Sequence, residues 1–198
     1  MRGASVKRVR PSANSVPHIR IPLRSFELRQ FRPDDTDDLY AVRNHESVLS
    51  LLADPRPIAY DSHVNWVNRN LIPGRDILLF LARAHDEAIG LTLLKRLAPD
   101  TVEVGVIFRE ARRHPLLPAQ AAVAMLYLAF EHFGMGWAVS YVLPQHERAI
   151  ALNRGLGGEE VLSDKPGMIY FRQRGAVVLS NQHYLRLLAR VRPLVITE

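Results

Sequence analysis

The sequence contains no cysteine, and only three of its 26 basic residues are lysines. The lack of cysteine excludes a disulfide framework, a thiolate metal site and a cysteine nucleophile, and it leaves the redox compartment open. No apolar run reaches the roughly 18 residues that span a bilayer. The basic N-terminus is not followed by the apolar segment of a secretory signal. We therefore expect no membrane span and, by default, a cytoplasmic location.

Motifs of several enzyme classes are also missing. The eight histidines include no His-x-x-x-His pair, and without cysteine partners or a cage of acidic residues they predict no metal site. The chain has neither a serine nucleophile elbow nor a P-loop. The sequence therefore gives no support for a metal site, for catalysis by a nucleophilic serine, or for a nucleotide bound by a P-loop.

The chain has 198 residues, 47% of them hydrophobic, which suits one domain, and a net charge of +6 that is unevenly placed. Residues 1–24 carry six cations and no acid, residues 25–171 are net negative, and residues 172–198 are net positive. We predict a flexible basic arm over 1–24, a folded body over 25–174 and a C-terminal amphipathic extension over 175–198. The arm has no aromatic residues, and its composition suits contact with nucleic acid or an acidic protein, or a solubilising tail.

Hydrophobic periodicity predicts the order β-α-α-β-β-β-α-β-α-β-β over the body. Residues 77–83 and 88–94 are apolar runs typical of central strands, and residues 102–108 form a third strand. Gly105 inside that strand indicates a bulge or a close backbone approach. The longest helix is predicted from about residue 119 to 133. This order indicates a mixed α/β domain with about six or seven strands and about four flanking helices.

Six segments carry a likeness to one family. They are FELRQFRPDD (26–35), DSHVNW (61–66), AIG (88–90), VEVGVIF (102–108), AAVAMLYLAF (121–130) and VLPQHERAIAL (142–152). In this order they resemble the Gcn5-related N-acetyltransferase (GNAT) superfamily over about residues 26–174. The resemblance implies a single GNAT-like domain with N-acyltransferase activity.

The resemblance also implies where acetyl-CoA binds. In this family the fourth and fifth strands splay apart, and the pantetheine arm lies in the gap, which implies contacts from Val104, Gly105, Val106 and Phe108. The acceptor is expected to be an amine-bearing small molecule or a protein N-terminus. The sequence is compatible with an oligomer.

The family binds the pyrophosphate of acetyl-CoA on backbone N–H groups at the start of the long helix, where free amides and the helix dipole form an anion site. Carried over to this chain, the phosphate contacts are Arg112, Arg113, His114, Leu116, Pro118 and Ala119. Two small residues of the family are replaced by Leu116, which fills the phosphate space, and by Pro118, which removes an N–H donor. The cluster of Arg109, Arg112 and Arg113 either holds the phosphates by charge or is a solvated basic loop.

Glu103 and His146 are the catalytic candidates. Glu103 lies on the strand next to the expected acetyl group, where an acid in the resembling enzymes deprotonates the amine, often through water. The alternative for Glu103 is a solvent-facing strand residue. His146 replaces a family asparagine and is either the catalytic acid or a polar residue at a helix start. Asn153, assigned to the cofactor site, replaces a tyrosine that in the family can protonate the leaving thiolate.

Two functions remain open from the sequence. The first is an N-acyltransferase that moves an acetyl or other acyl group from acyl-CoA to a primary amine. The second is a catalytically inactive GNAT-fold protein for binding or assembly, which contacts an acidic partner or nucleic acid through its basic ends. Family resemblance favours the first function, and the altered phosphate loop favours the second.

Overall fold

A computed structural model describes residues 18–74, 76–111 and 113–197. The larger part of the predicted basic arm, residues 1–17, and one predicted phosphate ligand, Arg112, lie outside these described residues.

The described residues form nine strands and seven α-helices around one sheet. The strands are β1 (Ile19–Pro22), β2 (Glu27–Gln30), β3 (Ile77–Ala84), β4 (Glu87–Ala98), β5 (Thr101–Phe108), β6 (Trp137–Val142), β7 (Glu159–Val161), β8 (Ile169–Arg174) and β9 (Ile196–Thr197). The helices are α1 (Thr36–Arg43), α2 (Glu46–Leu49), α3 (Tyr60–Asn70), α4 (Leu116–Tyr127), α5 (Glu147–Gly155), α6 (Gly175–Ser180) and α7 (Gln182–Val191). A 3-10 turn, Pro33–Asp35, leads into α1, and a π-helical turn, Leu128–His132, continues α4.

The sheet is mixed, as predicted, but has more strands than the predicted six or seven. Its order is β7-β8-β6-β5-β4-β3-β2-β1-β9. Every neighbouring pair is antiparallel except β5 and β6, which run parallel. A parallel pair needs a long crossover connection, and α4 with its π-helical turn supplies it.

Each face of the sheet buries its own hydrophobic cluster. Strand alternation sends Phe80 and Phe108 to one face, where they pack with Met125 of α4. Leu81, which follows Phe80 on β3, points to the other face and packs there with Val67 of α3. Because β3 is buried on both sides, its sequence is a nearly continuous apolar run instead of an alternating one.

Strands β1 and β9 were not expected from the sequence. Ile19–Pro22 belong to the stretch predicted as a flexible arm, yet they pair with β2 on one side and with β9 on the other. The side chains of Ile19 and Ile21 are fully buried, so this segment is held by the core. Pro22 argues against a helix, but a strand accommodates a proline at its end.

The C-terminal region also packs onto the body. The amphipathic extension predicted over residues 175–198 contains two helices, α6 and α7, separated at Asn181. The side chain of Asn181 accepts hydrogen bonds from the N–H groups of His183 (2.8 Å) and Tyr184 (3.0 Å), which caps α7. Tyr184 is fully buried in the cluster that contains α4.

Two searches of the described residues have negative results. None of the helices there is long and apolar enough to cross a membrane. Nor do the residues that the structure describes place three or more His, Asp or Glu side chains together as a metal site would require.

Candidate active site

The gap expected between two strands is seen in the pairing of β5 and β6. The two strands pair over only three residues each, ending at Glu103 and Val139. Beyond these residues β5 continues to Phe108 and β6 to Val142 without pairing to each other. Since β5 pairs with β4 on its other side, the edge facing β6 is left open, and its N–H and C=O groups are available to a ligand.

The side chains of the predicted cofactor strand lie in the core or are crowded by it. Val104, Val106 and Phe108 belong to the hydrophobic cluster around α4, so only their backbone groups face the open edge. Of the two alternatives for Gly105, a bulge or a close backbone approach, the bulge is wrong, because Gly105 pairs with Leu93 in regular register. A Cβ atom at Gly105 would lie 3.0 Å from Cγ of Leu93, so the crowding comes from a side chain of β4.

Glu103, at the last paired position of β5, meets a lysine and an aromatic ring. Its Oε1 atom is 3.4 Å from Nζ of Lys165, in the loop between β7 and β8. The same Nζ atom lies 3.3 Å from the centre of the Tyr141 ring on β6. The side chain of Glu103 is 19% exposed and that of Lys165 is 42% exposed. At such a border with solvent, a cation–π contact and an ion pair are each worth up to about 1 kcal/mol.

Tyr141 is held in place by two further residues. Its hydroxyl donates to Oδ1 of Asp164 at 2.9 Å. Its ring lies 4.9 Å from the ring of Tyr170, its partner across β6 and β8. Burial and then the hydrogen bond to the Asp164 carboxylate raise the pKa of Tyr141, so it remains a neutral phenol at pH 7. We call Glu103, Tyr141, Asp164, Lys165 and Tyr170 the Glu103 cluster.

Most described backbone N–H groups of the loop that contains the predicted phosphate contacts, residues 109–118, already have acceptors. The N–H of Arg109 donates to the carbonyl of Ile89 on β4 at 2.9 Å, and the N–H of Glu110 donates to Oγ of Ser47 at 3.0 Å. The amides of Arg113, His114 and Leu117 donate to carbonyl groups of the same loop at 2.8–3.2 Å. Two further positions are prolines and have no N–H. The expectation that Leu116 fills the phosphate space is wrong, because its side chain, at the first residue of α4, is directed to solvent and is 70% exposed. The part of this loop that the structure describes therefore does not present the row of free amides that binds an anion at a helix N-terminus.

The two described arginines of this loop are paired with acids. Arg113 forms an exposed ion pair with Glu110 at 2.9 Å. Arg109 contacts Glu87 at 2.8 Å and also donates to a backbone carbonyl of β4. A phosphate bound by either arginine would share the guanidinium with a carboxylate that already holds one of its nitrogens. Arg109 also lines a surface pocket of about 280 Å³ with Asp38, but neither Glu103 nor Lys165 lines that pocket.

Three further predicted site residues lie at or in helices: Ala119 is in the first turn of α4, His146 is at the start of α5 and Asn153 is within α5. His146 is half-buried and immediately precedes the helix, where its carbonyl accepts from the amides of Ala149 and Ile150. Asn153 accepts a hydrogen bond from Ser140 on β6 at 2.8 Å and donates to the carbonyl of Ala149. Asn153 thus links α5 to β6, and its carboxamide has no acidic proton for a leaving thiolate.

Comparison with known families identifies the fold. A family model described as "Acetyltransferase (GNAT) domain" matches residues 25–159. The chain belongs to the GNAT acetyltransferase family. Comparison with curated protein sequences gives no significant match. The matched range of this GNAT domain contains β2 to β6 and therefore the gap with Glu103.

Several solved structures share the fold at low sequence identity. A domain from Methanocaldococcus jannaschii has a TM-score of 0.63 and 15% identity, over 78% of this chain and 99% of that one. A GNAT-family acetyltransferase from Bacillus anthracis has a TM-score of 0.63 and 14% identity, over 79% and 99%. A spermidine N-acetyltransferase from Vibrio cholerae, solved with CoA and spermine, has a TM-score of 0.62 and 14% identity, over 81% and 98%. At these identities the likeness shows the fold alone.

Four members of the Glu103 cluster are not among the residues predicted for this GNAT site. Lys165 is 62 positions from Glu103, and the contact depends on how the β7–β8 loop folds back. Because side chains alternate along a strand, Tyr141 and its neighbour Ser140 point to opposite faces of the sheet. The register between β5 and β6 is needed to show that Tyr141 shares a face with Glu103. Tyr141 and Tyr170 lie near the ends of β6 and β8, and Asp164 lies between β7 and β8, but no local sequence pattern links these positions to Glu103.

Proposed function

We propose that this GNAT domain is an N-acyltransferase that moves an acetyl or another acyl group from acyl-CoA to a primary amine at the gap between β5 and β6. The Glu103 cluster carries the proposal, because it holds an ammonium group against a carboxylate and an aromatic ring where β5 loses its strand partner. A cationic amine from a substrate needs the same two contacts.

The described residues suit the amide-containing arm of acyl-CoA but do not suit its pyrophosphate. The open edge of β5 supplies N–H and C=O groups for an amide-containing arm. The described part of the loop before α4 supplies few free amides for a pyrophosphate, and its two described arginines already pair with Glu87 and Glu110. Acyl-CoA supplies the activated acyl group. The Vibrio cholerae structure with CoA and spermine supports this choice of substrate pair.

The chain's own residues then have distinct roles. Glu103 binds the ammonium and accepts its proton, directly or through a water molecule, which makes the nitrogen nucleophilic. The Tyr141 ring positions the amine, and its raised pKa keeps the phenol neutral beside Asp164. Since Asn153 cannot protonate the thiolate, His146 at the start of α5 remains our candidate for that proton transfer.

A thiol-release assay with a panel of amines tests the proposal. The protein has no cysteine, so a thiol reagent measures released CoA without background from the protein. The panel contains a polyamine, an amino sugar and a peptide with a free N-terminus, and we expect amine-dependent release with at least one. Glu103→Gln should lower kcat/KM by about 100-fold for the loss of a general base. Glu159→Gln, on the exposed edge strand β7, is the matched control and should leave kcat/KM unchanged.

Equal kcat/KM for the Glu103→Gln and Glu159→Gln variants would contradict the role of Glu103. Absence of thiol release with every amine, together with absence of acetyl-CoA binding, would contradict the whole proposal and favour a non-catalytic protein. The basic ends are then the next candidates. Deletion of residues 1–17, which leaves β1 intact, should abolish salt-dependent retention on nucleic acid if the arm binds it.

A further inference from the structure

Lys165 is positioned by its backbone and is not part of a loosely held loop. Its N–H donates to Oγ of Ser163 at 3.1 Å, and its carbonyl accepts from the same hydroxyl at 3.0 Å. The N–H of Met168 also donates to that carbonyl, at 3.2 Å. Gly167, with φ of +74°, provides the left-handed turn that brings the chain back into β8. The loop therefore directs the lysine side chain toward β5 and β6.

The amine of Lys165 lies where the proposed function places an acceptor amine. Its Nζ atom contacts Oε1 of Glu103, the proposed base, and the face of the Tyr141 ring. The other described lysine, Lys95, is exposed and lies directly across from Glu103 on β4, but no ion pair between Lys95 and Glu103 occurs among the described residues. A position next to Glu103 in the sheet is therefore not enough to form the ion pair. The loop between β7 and β8 brings Lys165 into that contact.

We propose that Lys165 is a self-acetylation site of this protein. The inference rests on the proposed function. In the reaction the Lys165 ammonium gives one proton to Glu103, the neutral Nζ attacks the carbonyl carbon of acetyl-CoA, the new C–N amide bond forms and the C–S bond breaks. The CoA thiolate leaves and takes up the proton held by Glu103, which restores the carboxylate, and the second proton lost by the amine passes to solvent.

Self-acetylation changes the site electrostatically. An acetylated lysine is neutral, so it loses both the ion pair with Glu103 and the cation–π contact with Tyr141. The carboxylate and the ring then become available to an external amine. In the unmodified protein, Lys165 competes with that amine for the same two groups.

The test measures acetylation of individual lysines by mass spectrometry after incubation of the full chain with acetyl-CoA. Trypsin cuts poorly between lysine and proline, so Lys165-Pro166 stays intact and one peptide, residues 155–172, reports the modified and unmodified forms alike. We expect Lys165 to be acetylated at least about tenfold faster than Lys95, in line with the advantage of a positioned amine. The rate per molecule should not depend on protein concentration, because the reaction is intramolecular. Equal rates at the two lysines would overturn the proposal.

Variants separate catalysis from simple chemical reactivity. Glu103→Gln and Tyr141→Leu should each bring the rate at Lys165 down to that at Lys95, whereas Glu159→Gln should leave the ratio unchanged. Circular dichroism of the variants shows whether each one is folded. Tyr141→Phe keeps the ring and should retain most of the excess rate. If Glu103→Gln leaves the excess rate at Lys165 intact, the proposal is wrong.

The same experiment distinguishes failure of this inference from failure of the proposed function. Acetyl-CoA binding by calorimetry together with thiol release toward external amines, but no excess acetylation at Lys165, would reject self-acetylation and leave the N-acyltransferase proposal standing. No acetyl-CoA binding and equal acetylation of Lys95 and Lys165 would reject both. If Lys165 is acetylated in excess of Lys95 and added CoA suppresses that excess, the result would support both self-acetylation and the N-acyltransferase proposal.

Discussion

Replacement of Asp35 by alanine tests how the strand β2 and the helix α1 are joined. The carboxylate of Asp35 is only 5% exposed, pairs with Arg29, and lies 3.7 Å from Nη1 of Arg83. It also accepts the backbone N–H of Arg32 at 2.8 Å. The Asp35→Ala variant leaves both guanidinium groups without this carboxylate and leaves one N–H unsatisfied. Breaking a buried pair costs about 3–5 kcal/mol, and because the arginines are partly exposed we expect about 3 kcal/mol.

Thermal and urea unfolding measure this loss. For a chain of this length, about 3 kcal/mol corresponds to a fall in Tm of about 6–12 °C. Asp34→Ala, in the same turn but at an exposed position, is the matched control and should change the free energy of unfolding by less than about 0.5 kcal/mol. If Asp35→Ala costs no more than Asp34→Ala, the argument that Asp35 anchors this junction is refuted.

Three further variants test other parts of the structure. Gly90→Ala should lower the free energy of unfolding by about 2 kcal/mol, because the added Cβ would lie 2.7 Å from the carbonyl oxygen of Ile107; an unchanged urea midpoint would contradict this. Tyr184→Phe should leave stability unchanged or raise it by up to about 1 kcal/mol, since the buried hydroxyl has no hydrogen-bond partner among the described residues. Burial also raises the pKa of Tyr184, so the parent loses stability above about pH 10, where the unfolded tyrosine ionises, and the variant should lose less in urea titrations at pH 10–11. Pro118→Ala restores an N–H in the first turn of α4 and should tighten acetyl-CoA binding about tenfold by calorimetry; an unchanged Kd would show that this amide does not reach a phosphate.

The central elements follow from the sequence because their burial pattern is local. The strand predicted over residues 102–108 is Thr101–Phe108, and the helix predicted from about 119 to 133 spans Leu116–Tyr127 and the π-helical turn that follows. Apolar runs and helical periodicity report burial directly, so these elements are recognisable without knowledge of their neighbours. The position of Glu103 on β5 follows from the same pattern.

Pairing between distant segments does not follow from local pattern. β9 is only two residues long and exists because Ile196 and Thr197 find an open edge at β1. Lys165 meets Glu103 because the loop after β7 folds back across β6, and no periodicity records a contact over 62 positions. The hydrogen bonds that the backbone N–H groups before α4 make within their own loop likewise depend on backbone conformation. The sequence shows only that the two prolines there have no N–H to donate.

Isothermal titration of the full chain with acetyl-CoA tests the central claim most directly, because the N-acyltransferase proposal requires acyl-CoA to bind in spite of the prolines in the loop before α4. The proposal predicts saturable binding of one acetyl-CoA per chain with a Kd of about 1–100 μM, in the range where enzymes commonly meet their substrates. The absence of any binding heat at about 1 mM acetyl-CoA, with the protein folded, would contradict it.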